Sequence, residues 1–145
     1  MKTIGQILRG KTKGLVTVKP DDTVYDAIQL MSRHDIGAVP VLEGNRLVGI
    51  FSERDYARKI ALEHKTSRDT RVRDIMTDKV FYVTAEQTVD ECMAIMTQKR
   101  FRHLPVLDKD QQVIGIVSIG DMVYATISEQ QFIIEQLEHY ITGGR

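Results

Sequence analysis

The chain carries one pattern twice, and that duplication narrows the folds open to it more than any other feature. Val18, Thr23, Val24, Met31, Pro40, Val41 and Leu42 recur 65 positions later as Val83, Thr88, Val89, Met96, Pro105, Val106 and Leu107. Beyond Glu43-Gly44-Asn45-Arg46 the offset becomes 66, so that Gly49-Ile50-Phe51-Ser52-Glu53-Arg54-Asp55 is answered by Gly115-Ile116-Val117-Ser118-Ile119-Gly120-Asp121. One extra residue within Asp108-Lys109-Asp110-Gln111 accounts for the slip, because turns absorb insertions at little cost. A unit of about 45 residues buries too little surface to be stable alone. The two copies must therefore pack on each other, and the clefts between them are the expected place of function.

Length and composition set bounds on this picture. At 145 residues the chain is about one ordinary domain, and a hydrophobic fraction of 42% supports a packed core. Formal net charge is zero, so no broad field draws the protein to nucleic acid or anionic lipid, although a local basic pocket is compatible with it. Cys92 is the single cysteine and has no partner for an internal disulfide, which fits a reducing compartment. The first ten residues lack the apolar core of a signal peptide, and no apolar run is long enough to span a bilayer. The expectation is a soluble cytoplasmic protein with no membrane partner and no nucleic-acid partner.

The same succession of elements can be read in both copies. Leu15-Val16-Thr17-Val18 reads as a short strand ended by Lys19-Pro20-Asp21-Asp22. Thr23 then caps a helix whose buried face is Val24, Ala27, Ile28 and Met31, matched by Val89, Cys92, Met93 and Met96. Ala38–Leu42 and Leu47–Phe51 form a hairpin, as do His103–Leu107 and Gln112–Val117, and a helix follows each, from about Glu53 and about Ile119. Each copy is thus β-α-β-β-α. The expected architecture is α+β, in layers: two such repeats related by a pseudo-twofold axis, plus a C-terminal helix. The expected divisions are 1–62 for the first repeat with a leading helix over Thr3–Leu8, 63–71 for a polar linker, 72–127 for the second repeat, and 128–145 for a C-terminal helix and tail. That last helix carries Phe132, Ile133, Leu137, Tyr140 and Ile141, stops at Gly143-Gly144, and is apolar enough to dock on the module or on another subunit.

Two β-α-β-β-α units, each with an apolar-Pro-Val strand and a Gly-apolar-apolar-Ser-x-x-Asp strand end, resemble the tandem cystathionine-β-synthase (CBS) domain pair. The resemblance runs from about Ile4 to Ile127, and Ser52–Lys59 and Gln136–Tyr140 look like its small stand-alone members. It implies a non-catalytic regulatory module, usually a flat homodimer, that binds AMP, ADP, ATP, S-adenosylmethionine or NAD between its repeats and signals to an effector protein. No catalytic cofactor and no metal is implied.

Elementary chemistry supports that placement. Asp55 and Asp121 lie just inside a helix start, where a carboxylate can accept both hydroxyls of a ribose diol. Ser52 and Ser118 lie three residues earlier, beside helix N–H groups suited to phosphate. The resemblance assigns one cleft to Val16, Ile36, Gly37, Ala38 and Pro40 with Ser118 and Asp121. The other is assigned to Phe81, Arg102, His103, Leu104 and Pro105 with Ser52, Arg54 and Asp55. Arg100, Arg102 and Arg54 make the second cleft suited to highly charged ligands, since guanidinium forks match phosphate oxygens. Gly37 and Gly120 leave the first roomy and nearly uncharged.

Blander readings compete with these. Asp55 and Asp121 serve equally well as helix caps, and Arg100, Arg102 and His103 as a solvated strand edge. Cys92 and the methionines sit at core spacing and need no functional role. Three alternatives to a sensor are a nucleotide hydrolase with His103 as base, a purely structural dimerisation module, and an RNA binder. The first lacks a visible nucleophile–base–orienter set, and neutral charge argues against the last.

Overall fold

Threonines followed by apolar residues at steps of three and four start two helices of 11 residues each where the spacing predicts. The computed structural model describes residues 2–11 and 14–141, so the expected stop at Gly143-Gly144 lies outside the described residues. The first copy comprises α1 (Ile4–Gly10), α2 (Val24–His34), β1 (Ala38–Glu43), β2 (Arg46–Ser52) and α3 (Glu53–Tyr56), which a π-helical stretch continues over Ala57–Ala61. The second comprises α4 (Val72–Ile75), β3 (Val83–Thr84), α5 (Val89–Lys99), β4 (His103–Leu107), β5 (Val113–Ser118) and α6 (Ile119–Ile141). This is a mixed α+β fold, as expected. No described helix is long and apolar enough to cross a membrane.

The copies agree in detail. Thr23 and Thr88 hydroxyls accept from the N–H groups of Asp26 and Glu91, both at 3.1 Å. Helix α2 buries Val24, Ala27 and Met31, and α5 buries Val89, Cys92 and Met96. Both end on a left-handed residue, Asp35 (φ 52°) and Arg100 (φ 60°), whose N–H bonds to Met31 and Met96 carbonyls. Both hairpins are antiparallel and break register at the same place, Val41/Leu42 and Val106/Leu107. The first closes on a two-residue turn led by Gly44 at φ 62°. The second holds the extra residue in a wider loop, where Asp108 Oδ1 accepts from the N–H groups of Asp110 and Gln112.

Two expectations need correction. Leu15–Val18 is not a strand: Val18 alone bridges β1, donating to Pro40 O and accepting from Leu42 N–H. The next ladder donor would be residue 20, a proline without an N–H. The polar linker 63–71 rests against the first copy, where Tyr25 N–H donates to Ser67 O and the Arg68 guanidinium lies 4.4 Å over the Tyr25 ring. The C-terminal helix is not a separate element docked on this module. It continues the helix begun at Ile119, burying Met122 and Ala125 and exposing every described side chain from Gln130 onward.

The leading helices are exchanged between the copies. Ile4 of α1 is fully buried among Val83, Val89, Cys92, Met96 and Val106 of the second copy. Its N–H donates to Gln87 O, and Val89 N–H donates back to Lys2 O. Val72 and Ile75 of α4 are buried among Val18, Val24, Val39 and Phe51 of the first copy, with Val72 N–H on Asp22 O. Each core is completed by a helix that precedes the other copy. The glycine of the recurring motif follows from this exchange: a Cβ on Gly49 would meet Met76 Sδ at 2.6 Å, and one on Gly115 would meet Leu8 Cδ2 at 2.6 Å.

Candidate functional site

Where each hairpin runs into its following helix, the serine and the aspartate cap one another. Asp55 Oδ2 accepts from Ser52 N–H and Oγ, both at 3.0 Å, and Asp55 N–H donates to Ser52 Oγ at 3.2 Å. Asp121 Oδ2 accepts from Ser118 N–H at 2.8 Å, and Asp121 N–H donates to Ser118 Oγ at 3.1 Å. The capping role is therefore real. It engages one oxygen of each carboxylate and still leaves both side chains facing clefts rather than bulk water.

The larger cleft encloses about 530 Å³ and is lined by Ser52, Arg54, Asp55, Phe81, Arg102, His103 and Leu104, seven of the eight residues assigned to it. Asp55, 8% exposed, lies at its floor. Asp55 Oδ1 meets Thr77 Oγ1 and Lys59 Nζ, both at 3.2 Å. Lys59 Nζ also donates to Ile75 O at 3.0 Å. Arg100 joins the wall, with Arg58, Lys59 and Lys79, which sequence reasoning missed. Arg58 and Lys59 follow Asp55 by three and four residues and share its helix face, a signal present in the chain. Lys79 arrives through the docking of α4 on the first copy, which no local pattern announces. Phe81 stacks against Phe101 at 5.5 Å, tilted by 43°, with Lys99 Nζ 5.0 Å over its ring. Pro105 is absent from the lining: it is buried in β4 opposite Ile116.

The smaller cleft, about 330 Å³, gathers Ile36, Gly37, Ala38, Ser118 and Asp121 as assigned, and adds Gly10, Lys11, Asp35 and His103. Val16 and Pro40 do not line it. Val16 packs on the first core, and Pro40 is buried in β1 with its carbonyl bonded to Val18. Gly120 lines neither cleft. Nor is this cleft nearly uncharged, because Lys11 Nζ sits 2.9 Å from Asp121 Oδ2 and donates to Ile116 O at 2.9 Å. Lys11 gets there because α1 has seven residues where α4 has four. Leu8 and Met76 press on equivalent glycines, so the longer helix carries the chain further toward Asp121 before it turns.

Electrostatics follow from this arrangement. Burial alone pushes the Asp121 carboxyl up, but hydrogen bonds from Lys11 and Ser118 with the Lys11 charge outweigh it and hold it below 3.8. Burial lowers the His103 imidazole below 6.5; Asp121 opposes that, and Lys11 and Arg102 reinforce it. Burial, with the Asp121 field, pushes the Cys92 thiol up to about 11. A thiol that far from ionising is a packing group. His103 and Gly37 line both clefts, and a Cβ on Gly37 would come within 3.5 Å of the His103 ring. Among the described residues no cluster of His, Cys, Asp and Glu forms a metal site.

Comparison with known proteins agrees with the geometry. The family model for the CBS domain matches residues 4–62 and again 72–128. The mitochondrial CBS domain-containing protein CBSX3 of Arabidopsis thaliana is 42% identical over 151 residues, covering 98% of this chain and 73% of that protein. A solved protein with CBS domains from Burkholderia ambifaria superposes with a TM-score of 0.84 at 50% identity, covering 89% of this chain and 96% of that one. CBSX2, solved in complex with AMP, superposes with a TM-score of 0.74 at 26% identity over 90% of this chain and 99% of its own. With both repeats matched and the paired fold shared, the chain belongs to the CBS-domain family, as a tandem pair.

Proposed function

We propose that this protein is a non-catalytic sensor that binds an adenine nucleotide in the larger cleft and passes the occupied state to an effector protein. One observation carries the reading: a buried carboxylate, Asp55, at the floor of a cavity whose walls hold Arg54, Arg58, Lys59, Lys79, Arg100 and Arg102. A diol at the carboxylate and phosphates at the guanidinium forks would use both ends of that gradient. The aromatic side of Phe81 and Phe101 supplies a face for a purine. CBSX2, the relative solved with AMP, supports the same ligand class. The cation count favours ADP or ATP over AMP. The smaller cleft serves as a second, weaker site, coupled to the first through the shared wall of His103 and Gly37. A hydrolytic role for His103 finds no support in a cleft whose one serine hydroxyl is held in a helix cap.

Calorimetry with AMP, ADP, ATP and NAD tests the reading. At least one should bind more tightly than about millimolar and be recovered unaltered; binding by none, or turnover of any, removes it. Asp55→Ala should weaken the larger site by about 2–4 kcal/mol, the worth of two or three hydrogen bonds to a diol. A far-ultraviolet spectrum confirms that the variant, which also loses a cap, remains folded.

A further inference from the structure

His103 stands where the two clefts meet, and the duplication does not call for it: the equivalent position of the first copy is Ala38. It is the first residue of β4, paired with Ser118 of β5, and its half-buried side chain lines both cavities. On the larger side it shares the cavity with an excess of positive charge. Arg100 and Arg102 precede it in the chain, Arg54 belongs to α3, Arg58 and Lys59 to the π-helical stretch, and Lys79 to the segment before β3. Against these six stand Glu53 and Asp55, and the Asp55 carboxylate is already bonded by Ser52, Thr77 and Lys59. On the smaller side lie Asp35 from the end of α2, Asp121 from α6, and Lys11, which holds Asp121 at 2.9 Å. Gly37 keeps the space between the ring and Glu53 free of any side chain. A Cβ there would meet Glu53 Oε1 at 3.2 Å and His103 Nε2 at 3.5 Å.

An imidazole in this position answers to whatever fills the larger cleft. In the free protein, burial and the neighbouring cations disfavour a further positive charge, and the ring titrates below 6.5. Phosphates reverse that balance, since a terminal phosphate carries about −1.5 to −2 charges at neutral pH. Imidazolium also has two N–H donors, one for a phosphate oxygen and one for the Glu53 carboxylate across Gly37. We propose that His103 takes up a proton when a phosphate-bearing ligand enters the larger cleft, so that the module senses acidity together with nucleotide. This regulation rests on the nucleotide reading above. By linkage, the ligand binds more tightly as pH falls. The gain is absent above the ring's ligand-bound pKa and complete below its ligand-free one. Adenosine, which has no phosphate, shows no such gain.

Proton NMR reads the ring directly. The chain has four histidines, and the His103 resonance is the one missing from the spectrum of His103→Asn. Its pKa should rise when ATP or inorganic tripolyphosphate is added, and should stay put with adenosine. Calorimetry on both proteins supplies the second measurement. The ratio of ATP affinities, wild type over His103→Asn, should grow about three- to tenfold from about pH 8 down to about pH 5.5. Protonation of the nucleotide's own phosphate is common to both proteins and cancels in that ratio. ATP that binds while the ring pKa stays fixed overturns the proposal and leaves the nucleotide reading intact. A rise with tripolyphosphate while no adenine nucleotide binds does the reverse. An equal rise with adenosine also overturns the proposal, and failure of every phosphate ligand to bind overturns both.

Discussion

The two acidic side chains, equivalent in sequence, are not equivalent in their surroundings. Each holds an ammonium that also bonds a backbone carbonyl, yet Lys59 comes from the helical run that begins with Asp55's own turn and Lys11 from the residue that follows α1. In the smaller cleft a sugar diol must therefore share or displace Lys11. Both partners are about a quarter exposed, so solvent screens the pair and the competition is worth about 0.5–1 kcal/mol. Lys11→Met should accordingly tighten adenosine binding at the smaller cleft two- to fivefold, and should raise the Asp121 pKa followed by NMR. Adenosine isolates the diol contact because it has no phosphate for the ammonium to meet. Weaker adenosine binding in this variant would make Lys11 a ligand contact instead of a competitor.

The elements show why a motif of glycine, apolar pair and serine recurs. In each hairpin the glycine lies under the leading helix of the other copy. On Gly49 a new Cβ meets Met76 Sδ at 2.6 Å and the backbone carbonyl of Thr77 at 3.0 Å; on Gly115 it meets only the tip of Leu8. A leucine tip can swing away, and a backbone carbonyl cannot. Gly49→Ala should therefore cost about 1–3 kcal/mol and Gly115→Ala clearly less, as read from denaturant midpoints. The reverse order would mean that α4 yields more easily than α1. Ile4→Ala offers a parallel check on the exchange. If α1 closes the second core, the substitution should cost about 2–5 kcal/mol, whereas a frayed leading helix would lose almost nothing.

Across the whole molecule, the wall between the clefts ties stability to pH. His103 titrates below its unfolded value, so the unfolded chain takes up the proton first. Its contribution is fully present above about 6.5 and is lost as pH falls through the folded pKa. Asp121, also depressed, contributes above 3.8 and is lost as pH falls through its own folded value. Calorimetric melting temperatures should hold steady near neutrality, fall as the pH drops below about 6.5, and fall again in acid. His103→Asn should abolish the first decline. A variant with an unchanged profile would assign that decline to another group.

The paired repeats, the capped helices, the hairpins and the two Ser-x-x-Asp corners were all legible in the order of residues. Each rests on neighbours within a few positions, where periodicity and cap chemistry act. Arg54, Arg100 and Arg102 could likewise be assigned to one cleft, because the family resemblance implies which corner of one repeat meets which strand of the other. Lys11 on Asp121, Lys79 in the larger cleft, the removal of Pro40 and Pro105 from the linings, and the crossing of α1 and α4 could not be read that way. They depend on contacts between segments up to a hundred or so residues apart (Lys11 to Asp121), decided by which helix fits over which glycine. Spacing along a chain reports the face a residue turns, but only packing reports what comes to meet it.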